Sequence, residues 1–267
     1  MLIAHISDFH VFADRPETAL VRLDAEAAAR RVAEDLAQFS PVLDGVAFTG
    51  DLTDGGSEKD YSLLKDILSP IKCPIYVVPG NHDKRTTLRS AFAGVLPFGP
   101  GKYLNYEDRL GSLRILALDT LIEGRGEGSL ESESLEWIGE KLSSATSDPT
   151  LILLHHAPFP CGMEALDKAS LTSGKTEFAK MVKSYKGPLM ILAGHIHRPY
   201  KAMWNGAYCA VGGSPAFQFD LDFSAVDHDP ACVREPYAYY IYRFENDGNF
   251  AVHTRYVALD RNEGVKI

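Results

Sequence analysis

Six short apolar runs punctuate the first three quarters of the chain: Leu2 to Ile6, Val46 to Phe48, Ile75 to Val78, Ile115 to Leu118, Leu151 to Leu154 and Leu189 to Ala193. Each is apolar with little alternation and has the length of a strand buried on both faces. Between them the pattern changes to helical spacing. Glu17 to Phe39 is Ala-rich with apolar positions at Leu20, Leu23, Ala28, Val32, Leu36 and Phe39, and Ser40-Pro41 stops it. Ser57 followed by Asp60 predicts a capped helix start, with Tyr61, Leu64, Ile67 and Leu68 as its apolar face. Two further helices are expected over Glu131 to Leu142 and Lys175 to Tyr185. This alternation up to about residue 193 predicts a layered α/β architecture.

After Pro199 strands follow one another directly: Tyr200 to Trp204, Ala207 to Val211, Tyr237 to Phe244 and Asn249 to Val257, with turns at Trp204-Asn205-Gly206 and Asn246-Asp247-Gly248. An antiparallel finish to the sheet system is expected. Gly212 to Pro236 is a long loop rich in aromatic and acidic residues, a length that goes with function or disorder. No repeat, low-complexity tract or linker divides the chain. One domain over 1–267 is expected, with about 212–240 as a cap or dimerisation insertion.

The polar residues that end the apolar runs bring in chemistry. The first run leads to Asp8-Phe9-His10, the second to Gly50-Asp51, the third to Gly80-Asn81-His82-Asp83, the fifth to His155-His156-Ala157-Pro158 and the sixth to Gly194-His195-Ile196-His197. The fourth ends in Asp119-Thr120, where a carboxylate capping a loop suffices. Taken singly these fragments are ordinary turns or surface histidines. Together they gather six of the nine histidines, His10, His82, His155, His156, His195 and His197, at a few strand ends, and this points to a metal site. Oxygen and imidazole donors without thiolate suit iron, manganese, zinc or cobalt. The donors outnumber what one tetrahedral ion needs, and a carboxylate such as Asp51 can bridge two ions roughly 3.5 to 4 Å apart.

Charge and composition narrow the partners. The balance of 27 Lys+Arg against 36 Asp+Glu gives a net charge of -9, and without a basic run a nucleic-acid polymer is not an expected ligand. The start MLIAHISDFH lacks a basic n-region, and no apolar stretch approaches the roughly 20 residues of a membrane span, so no membrane partner is expected. Cys73, Cys161, Cys209 and Cys232 form no C-x-x-C pair, consistent with a reduced, cytoplasmic location.

The ordered set D-x-H (Asp8, His10), G-D (Gly50, Asp51), G-N-H-D (Gly80 to Asp83), H-x-P (His156 to Pro158) and G-H-x-H (Gly194 to His197) resembles the calcineurin-like metallophosphoesterase superfamily. The His155-His156 pair and the long aromatic loop resemble its bacterial branch of class III cyclic nucleotide phosphodiesterases and glycerophosphodiesterases. The resemblance covers roughly three quarters of the chain. It implies a four-layer αββα sandwich of two mixed β-sheets flanked by helices. It also implies two divalent ions, Asp8, His10, Asp51 and His197 holding the first and Asp51, Asn81, His156 and His195 the second. His82 matches the family's histidine that contacts phosphate or protonates the leaving group. His155 stands where many relatives carry glycine and is expected to brace rather than ligate, Asp83 to orient a ligand, and His5 to be a satisfied core residue. His228 and His253 carry no motif support.

Two ions against Asp8, Asp51 and a bridging hydroxide would leave a charge near plus one, which suits a phosphodiester monoanion. The expected reaction is hydrolysis of a small phosphodiester, a cyclic nucleotide or a glycerophosphodiester, by that hydroxide, with His82 giving the proton to the leaving oxygen. Asn81, His82, Phe217 and His228 are the candidate substrate contacts, and Phe9, Phe12, Thr53, Asp54, Pro160, Cys161, Phe219 and Phe223 the rest of a pocket wall that could stack a base or serve as core and subunit contacts. The alternatives are a phosphomonoesterase or protein phosphatase using Arg198 for the dianion, a nuclease disfavoured by charge, and a non-catalytic scaffold of the same fold. A homo-oligomer is expected through the 212–240 segment.

Overall fold

A computed structural model describes residues 1–14, 24–144, 147–245 and 249–259. The elements run β1 (Leu2–Ile6), α1 (Ala25–Ala37), β2 (Gly45–Phe48), α2 (Glu58–Leu68), β3 (Ile75–Val77), α3 (Arg85–Ala91), β4 (Tyr106–Leu110) and β5 (Leu113–Ala117). Then come β6 (Gly128–Ser129), α4 (Ser132–Ser144), β7 (Thr150–Leu153), α5 (Glu164–Lys168), β8 (Leu171–Ser173), α6 (Lys175–Ser184) and β9 (Leu189–Ala193). The chain finishes with β10 (Tyr200–Trp204), β11 (Ala207–Val211), β12 (Gln218–Phe219), β13 (Cys232–Val233), β14 (Tyr237–Phe244) and β15 (Phe250–Val257).

Five of the six apolar runs become inner strands of two mixed sheets, and the third, β3, edges the first sheet. One has the order β15-β14-β1-β2-β3, the other β10-β11-β9-β7-β5-β4. β1, β2 and β3 are mutually parallel, as are β5, β7, β9 and β11, while β14 and β15 close the first sheet antiparallel and β4 and β10 edge the second. The antiparallel finish therefore holds except at β11, which runs parallel to β9.

Side-chain parity explains why the runs lack alternation. In β7, Leu151 and Leu153 join the core shared with the first sheet, whereas Ile152 and Leu154 join a second core with Ile138, Leu142, Phe178 and Val182 of α4 and α6. Met190 and Leu192 against Ile191 and Ala193 repeat this in β9. Both faces are dry, so both parities are apolar. α1 and α2 lay Val32, Leu36, Leu64 and Ile67 on the outer side of the first sheet, giving the expected αββα order.

Ser57 caps α2 as its spacing predicts: its hydroxyl accepts the Asp60 N–H, and the Asp60 carboxylate accepts the Ser57 N–H. The predicted helix from Glu17 is a helix from Ala25, and its expected first part lies outside the described residues, as does the Asn246-Asp247-Gly248 turn. Among the described residues no helix is long and apolar enough to cross a membrane.

Candidate metal centre

The parallel strands β1, β2, β3, β7 and β9 all end at the same rim, where α/β proteins place their ligands. Asp8 and His10 follow β1, Asp51 follows β2, Asn81 to Asp83 follow β3, His155 and His156 follow β7, and His195 and His197 follow β9. Each strand must stop abruptly and turn a side chain back over its own end. Asp8 (φ 56°), His10 (φ 46°), Asp51 (φ 46°), His195 (φ 73°) and His197 (φ 55°) are five of the six non-glycine residues with left-handed backbone among those described. Each such conformation costs on the order of 1 kcal/mol, so the strain of the fold is concentrated at this rim. Gly50, itself at φ 90°, lies where a Cβ would overlap His155 Nδ1.

Four imidazoles are held in the same way, one ring nitrogen bonded outward and the other turned to the centre. His10 Nδ1 donates to Asp54 Oδ1 at 2.7 Å, His155 Nδ1 to the Thr49 carbonyl at 2.7 Å, His197 Nδ1 to the Phe217 carbonyl at 3.0 Å and His195 Nε2 to the Ala169 carbonyl at 3.0 Å. Outer acceptors of this kind fix the tautomer of a metal-binding histidine. The inner nitrogens then face acceptors. His10 Nε2 and His197 Nε2 are 3.0 Å apart. His155 Nε2 and His195 Nδ1 lie 3.1 and 3.0 Å from Asn81 Oδ1. Asp51 Oδ2 stands 3.4 Å from His10 Nε2 and 3.3 Å from His155 Nε2, between the two groups, and Asp8 Oδ1 is 3.4 Å from His197 Nε2.

Such gaps between lone pairs require positive charge, as protons or as metal ions, and the donor set fits two ions sharing Asp51. Asp8 and Asp51 are almost wholly buried. Burial raises the pKa of both. At Asp8 it prevails, bringing the pKa to about 6; at Asp51 the nearby His155 and His10 outweigh it and hold the carboxyl well below the usual range. Burial would lower the pKa of His155, but Asp51 raises it to about 9, so a positive charge is favoured between these two side chains.

The adjacent histidines, which with His195 bring ligand atoms within 4.8 Å of one another, face different partners. His156 uses both nitrogens on the protein, Nδ1 accepting from Thr120 Oγ1 at 2.8 Å and Nε2 donating to the Gly126 carbonyl at 3.1 Å. Only His155 presents a nitrogen to Asp51 and Asn81. The reason is parity: His155 continues the Leu151, Leu153 row that faces the other sheet, and His156 continues the Ile152, Leu154 row that faces the helices.

His82 stands beside the centre with 41% of its side chain exposed. Its backbone N–H donates to Asp51 Oδ1 at 2.9 Å and its Nδ1 lies 2.9 Å from Asp54 Oδ1, the same oxygen that holds His10. Burial lowers its pKa, but Asp54 and Asp51 together raise it to about 9. Asp83 accepts the N–H groups of Gly80, Leu52 and Thr53 and the Tyr61 hydroxyl, clamping the Asn81 and Asp51 turns together. Asp54, expected in the pocket wall, stands at the rim itself, where its Oδ1 meets both His10 and His82.

The expected pocket wall divides. Phe217 lies over His197, ring centres 4.0 Å apart, and Phe219 is 5.8 Å from the same ring. Phe9 is a core residue, wholly buried against Phe48, and does not line a pocket. Phe223 is 64% exposed beside Gly162, and His228 is an exposed loop residue near Asp222 with none of the bonds that join Phe217 to the cluster. Arg198 is spent on the loop itself, donating to the Phe219 carbonyl and to both oxygens of Glu235.

Residues 1–199 match the family of calcineurin-like phosphoesterases. The chain belongs to this family. Among curated calcineurin-like relatives, the probable glycerophosphodiester phosphodiesterase GpdQ of Arcobacter nitrofigilis is 29% identical over 96% of this chain and 93% of its own length. The 3',5'-cyclic adenosine monophosphate phosphodiesterase CpdA of Escherichia coli K12 is 31% identical over 81% of this chain and 77% of its own. Of solved structures, the purple acid phosphatase PPD1 of yellow lupin shares the fold with a TM-score of 0.66 at 15% identity; it covers 96% of this chain, which spans about half of that protein.

Proposed function

We propose that the protein is a dinuclear-metal phosphodiesterase acting on small diesters, a cyclic nucleotide or a glycerophosphodiester. The observation that supports this reading is the set of four imidazoles, each bonded outward and turned inward on Asp8, Asp51 and Asn81. The first ion would be held by Asp8, His10, Asp51 and His197. Asp51, Asn81, His155 and His195 would hold the second, His155 in place of His156. The donor chemistry suits iron, manganese, zinc or cobalt. Two such ions supply Lewis acidity and a water acidic enough to attack phosphorus at neutral pH.

The protein's own groups do the rest. His82, its pKa raised above the ordinary value by Asp54 and Asp51, is partly exposed and held by Asp54, and it serves as proton donor to the leaving oxygen. Phe217 buttresses His197 and walls one side of the site. Arg198 pairs with Glu235 and is not presented to a dianion, which favours diesters over monoesters. The names of the two curated relatives agree. Free cysteines fit a cytoplasmic enzyme, and the loop from Gly212, with Leu221 and Phe223 exposed, is the candidate contact of a homo-oligomer.

The test is the ratio of initial rates on bis(p-nitrophenyl) phosphate and p-nitrophenyl phosphate, using chelator-stripped protein reconstituted with Mn²⁺. A ratio well above one is expected. A ratio below one moves the assignment to monoesters, and no turnover of either favours the scaffold reading.

A further inference from the structure

Behind the metal centre, between the sheets, lies a closed polar path that the proposed reaction does not use. His5, in the middle of β1, is wholly buried, as are Ser7 and Thr49. His5 Nε2 donates to Thr49 Oγ1 at 2.9 Å, Thr49 Oγ1 to Ser7 Oγ at 2.9 Å, and Ser7 Oγ to the Thr49 carbonyl at 3.1 Å. That carbonyl is the acceptor that orients His155 through Nδ1 at 2.7 Å. The path thus runs from the core to the imidazole that meets Asp51 and Asn81. Room for it is made at Gly194, where a Cβ would overlap Ser7 Oγ and approach Asp8 Oδ2.

His5 was expected to be a satisfied core residue, and it is only half so. With Nε2 on Thr49 Oγ1, Nδ1 makes no well-formed hydrogen bond among the described residues, the Ala193 backbone being its polar neighbour. Its other neighbours are the rings of Tyr240 and Tyr242, 6.3 Å away. A buried ring nitrogen without a well-formed bond costs up to about 1–3 kcal/mol, and an apolar side chain would fill the same space without that cost. A polar residue retained at a loss to stability, one path away from a ligand, indicates a task at the site.

We propose that His5 is a positioning residue for the second-ion half of the centre, acting through Thr49 and Ser7 to fix the ring of His155. This rests on the reading of His155 as a ligand. His5 completes the donor relay that holds Thr49 Oγ1 and Ser7 Oγ in place, and so sets the electron density and direction of the one carbonyl that fixes the His155 tautomer. Outer partners of metal-binding histidines change metal affinity by roughly 10- to 100-fold when removed. His5 is one step further out, so an effect of about 10-fold on one site is expected.

The experiment titrates chelator-stripped protein with Mn²⁺, following bound and free ion by electron paramagnetic resonance, together with thermal melts. In His5→Phe the weaker or stronger of the two dissociation constants rises about 10-fold while the other stays unchanged. Thr49→Val, which removes the hydroxyl but keeps the carbonyl and the shape, does the same even where His5→Phe folds poorly. His5→Gln, which restores an N–H donor, recovers most of the loss. A packing defect alone would lower the melting temperature without separating the two constants, and that result overturns the proposal. His155→Ala is the control. If it still binds both ions, the ligand reading itself falls; if it loses one ion while His5→Phe and Thr49→Val bind both normally, only the role of His5 falls.

Discussion

Asp119→Asn isolates one cross-sheet strut. Asp119 follows β5 and is wholly buried, and Arg85 begins α3 just after the Asn81 turn, so their ion pair ties the rim of one sheet to the rim of the other. The carboxylate is fully used. Oδ2 accepts Arg85 Nε at 2.7 Å and the Leu104 N–H at 2.9 Å, while Oδ1 accepts Arg85 Nη2 at 2.9 Å and the Leu121 N–H at 3.0 Å. An asparagine keeps one oxygen and sets its NH₂ against two donors, and the guanidinium, side chain 9% exposed, loses its close counter-charge and keeps only the exposed Glu123 at 3.8 Å. Two buried donors without acceptors at about 1–3 kcal/mol each, or a broken buried pair at about 3–5, converge on a loss of about 3–5 kcal/mol.

Activity should respond much less, because Asp83 clamps the Asn81 and Asp51 turns without help from Arg85. Urea unfolding should show the lost stability, and kcat with saturating Mn²⁺ at a temperature where the variant is folded should stay within about 3-fold. Replacing both partners, Arg85→Met with Asp119→Leu, should cost less than Asp119→Asn, since no charge is left alone. A loss under about 1 kcal/mol for Asp119→Asn would refute the reasoning on burial. A fall in kcat beyond 10-fold in folded protein would show that the strut, not Asp83, places the ligands.

His156→Ala should keep both ions with affinities within about 3-fold while lowering the melting temperature, measured by metal analysis after dialysis and by calorimetry; loss of one ion would restore His156 as a ligand. Asp54→Ala should slow hydrolysis of a diester with an alkyl leaving group by about 10²-fold or more and that of a p-nitrophenyl diester far less, because only the poor leaving group needs the proton that Asp54 helps His82 to hold. At saturating Mn²⁺, which offsets the loss of the acceptor that orients His10, His82→Ala should reproduce that selectivity and the double variant should be no worse than Asp54→Ala; a uniform loss on both substrates in His82→Ala would refute the proton-donor role. Arg198→Ala should leave the diester-to-monoester rate ratio within about 3-fold, and a selective collapse of monoester hydrolysis would show that Arg198 leaves Glu235 to meet substrate.

What the sequence made legible follows from where water is excluded. Strands buried on both faces, β7 and β9 above all, stand out because no polar residue can be accommodated there. β4 does not stand out: Tyr106–Leu110 reads YEDRL because it is an edge strand, and its pairing comes from β5 rather than from its own composition. α3 is also hidden, since its seven residues begin without a side-chain cap and bury only Arg85 and Leu88. Arg85 and Asp119 lie 34 positions apart in unremarkable contexts, so their pairing has no local signal.

The site was legible as a set of residue types and illegible at one position, and the difference is instructive. Aspartate and histidine after an apolar run announce a polar strand end whichever way the side chain points, so the ligand types could be read one by one. Choosing between His155 and His156 needs the side of the strand that faces the other sheet. An unbroken run such as Leu151 to Leu154 erases that information, because burial on both faces makes the two rows chemically alike. The structure restores it through the partners of the two rows, the first sheet for Leu151 and Leu153, the helices for Ile152 and Leu154. Once the parity is known, His155 falls on the row that meets Asp51 and His156 on the row that meets Thr120 and Gly126. A motif alone does not separate the two, since H-x-P fits His156 while the parity along the strand favours its neighbour, and the metal content of His156→Ala decides between them.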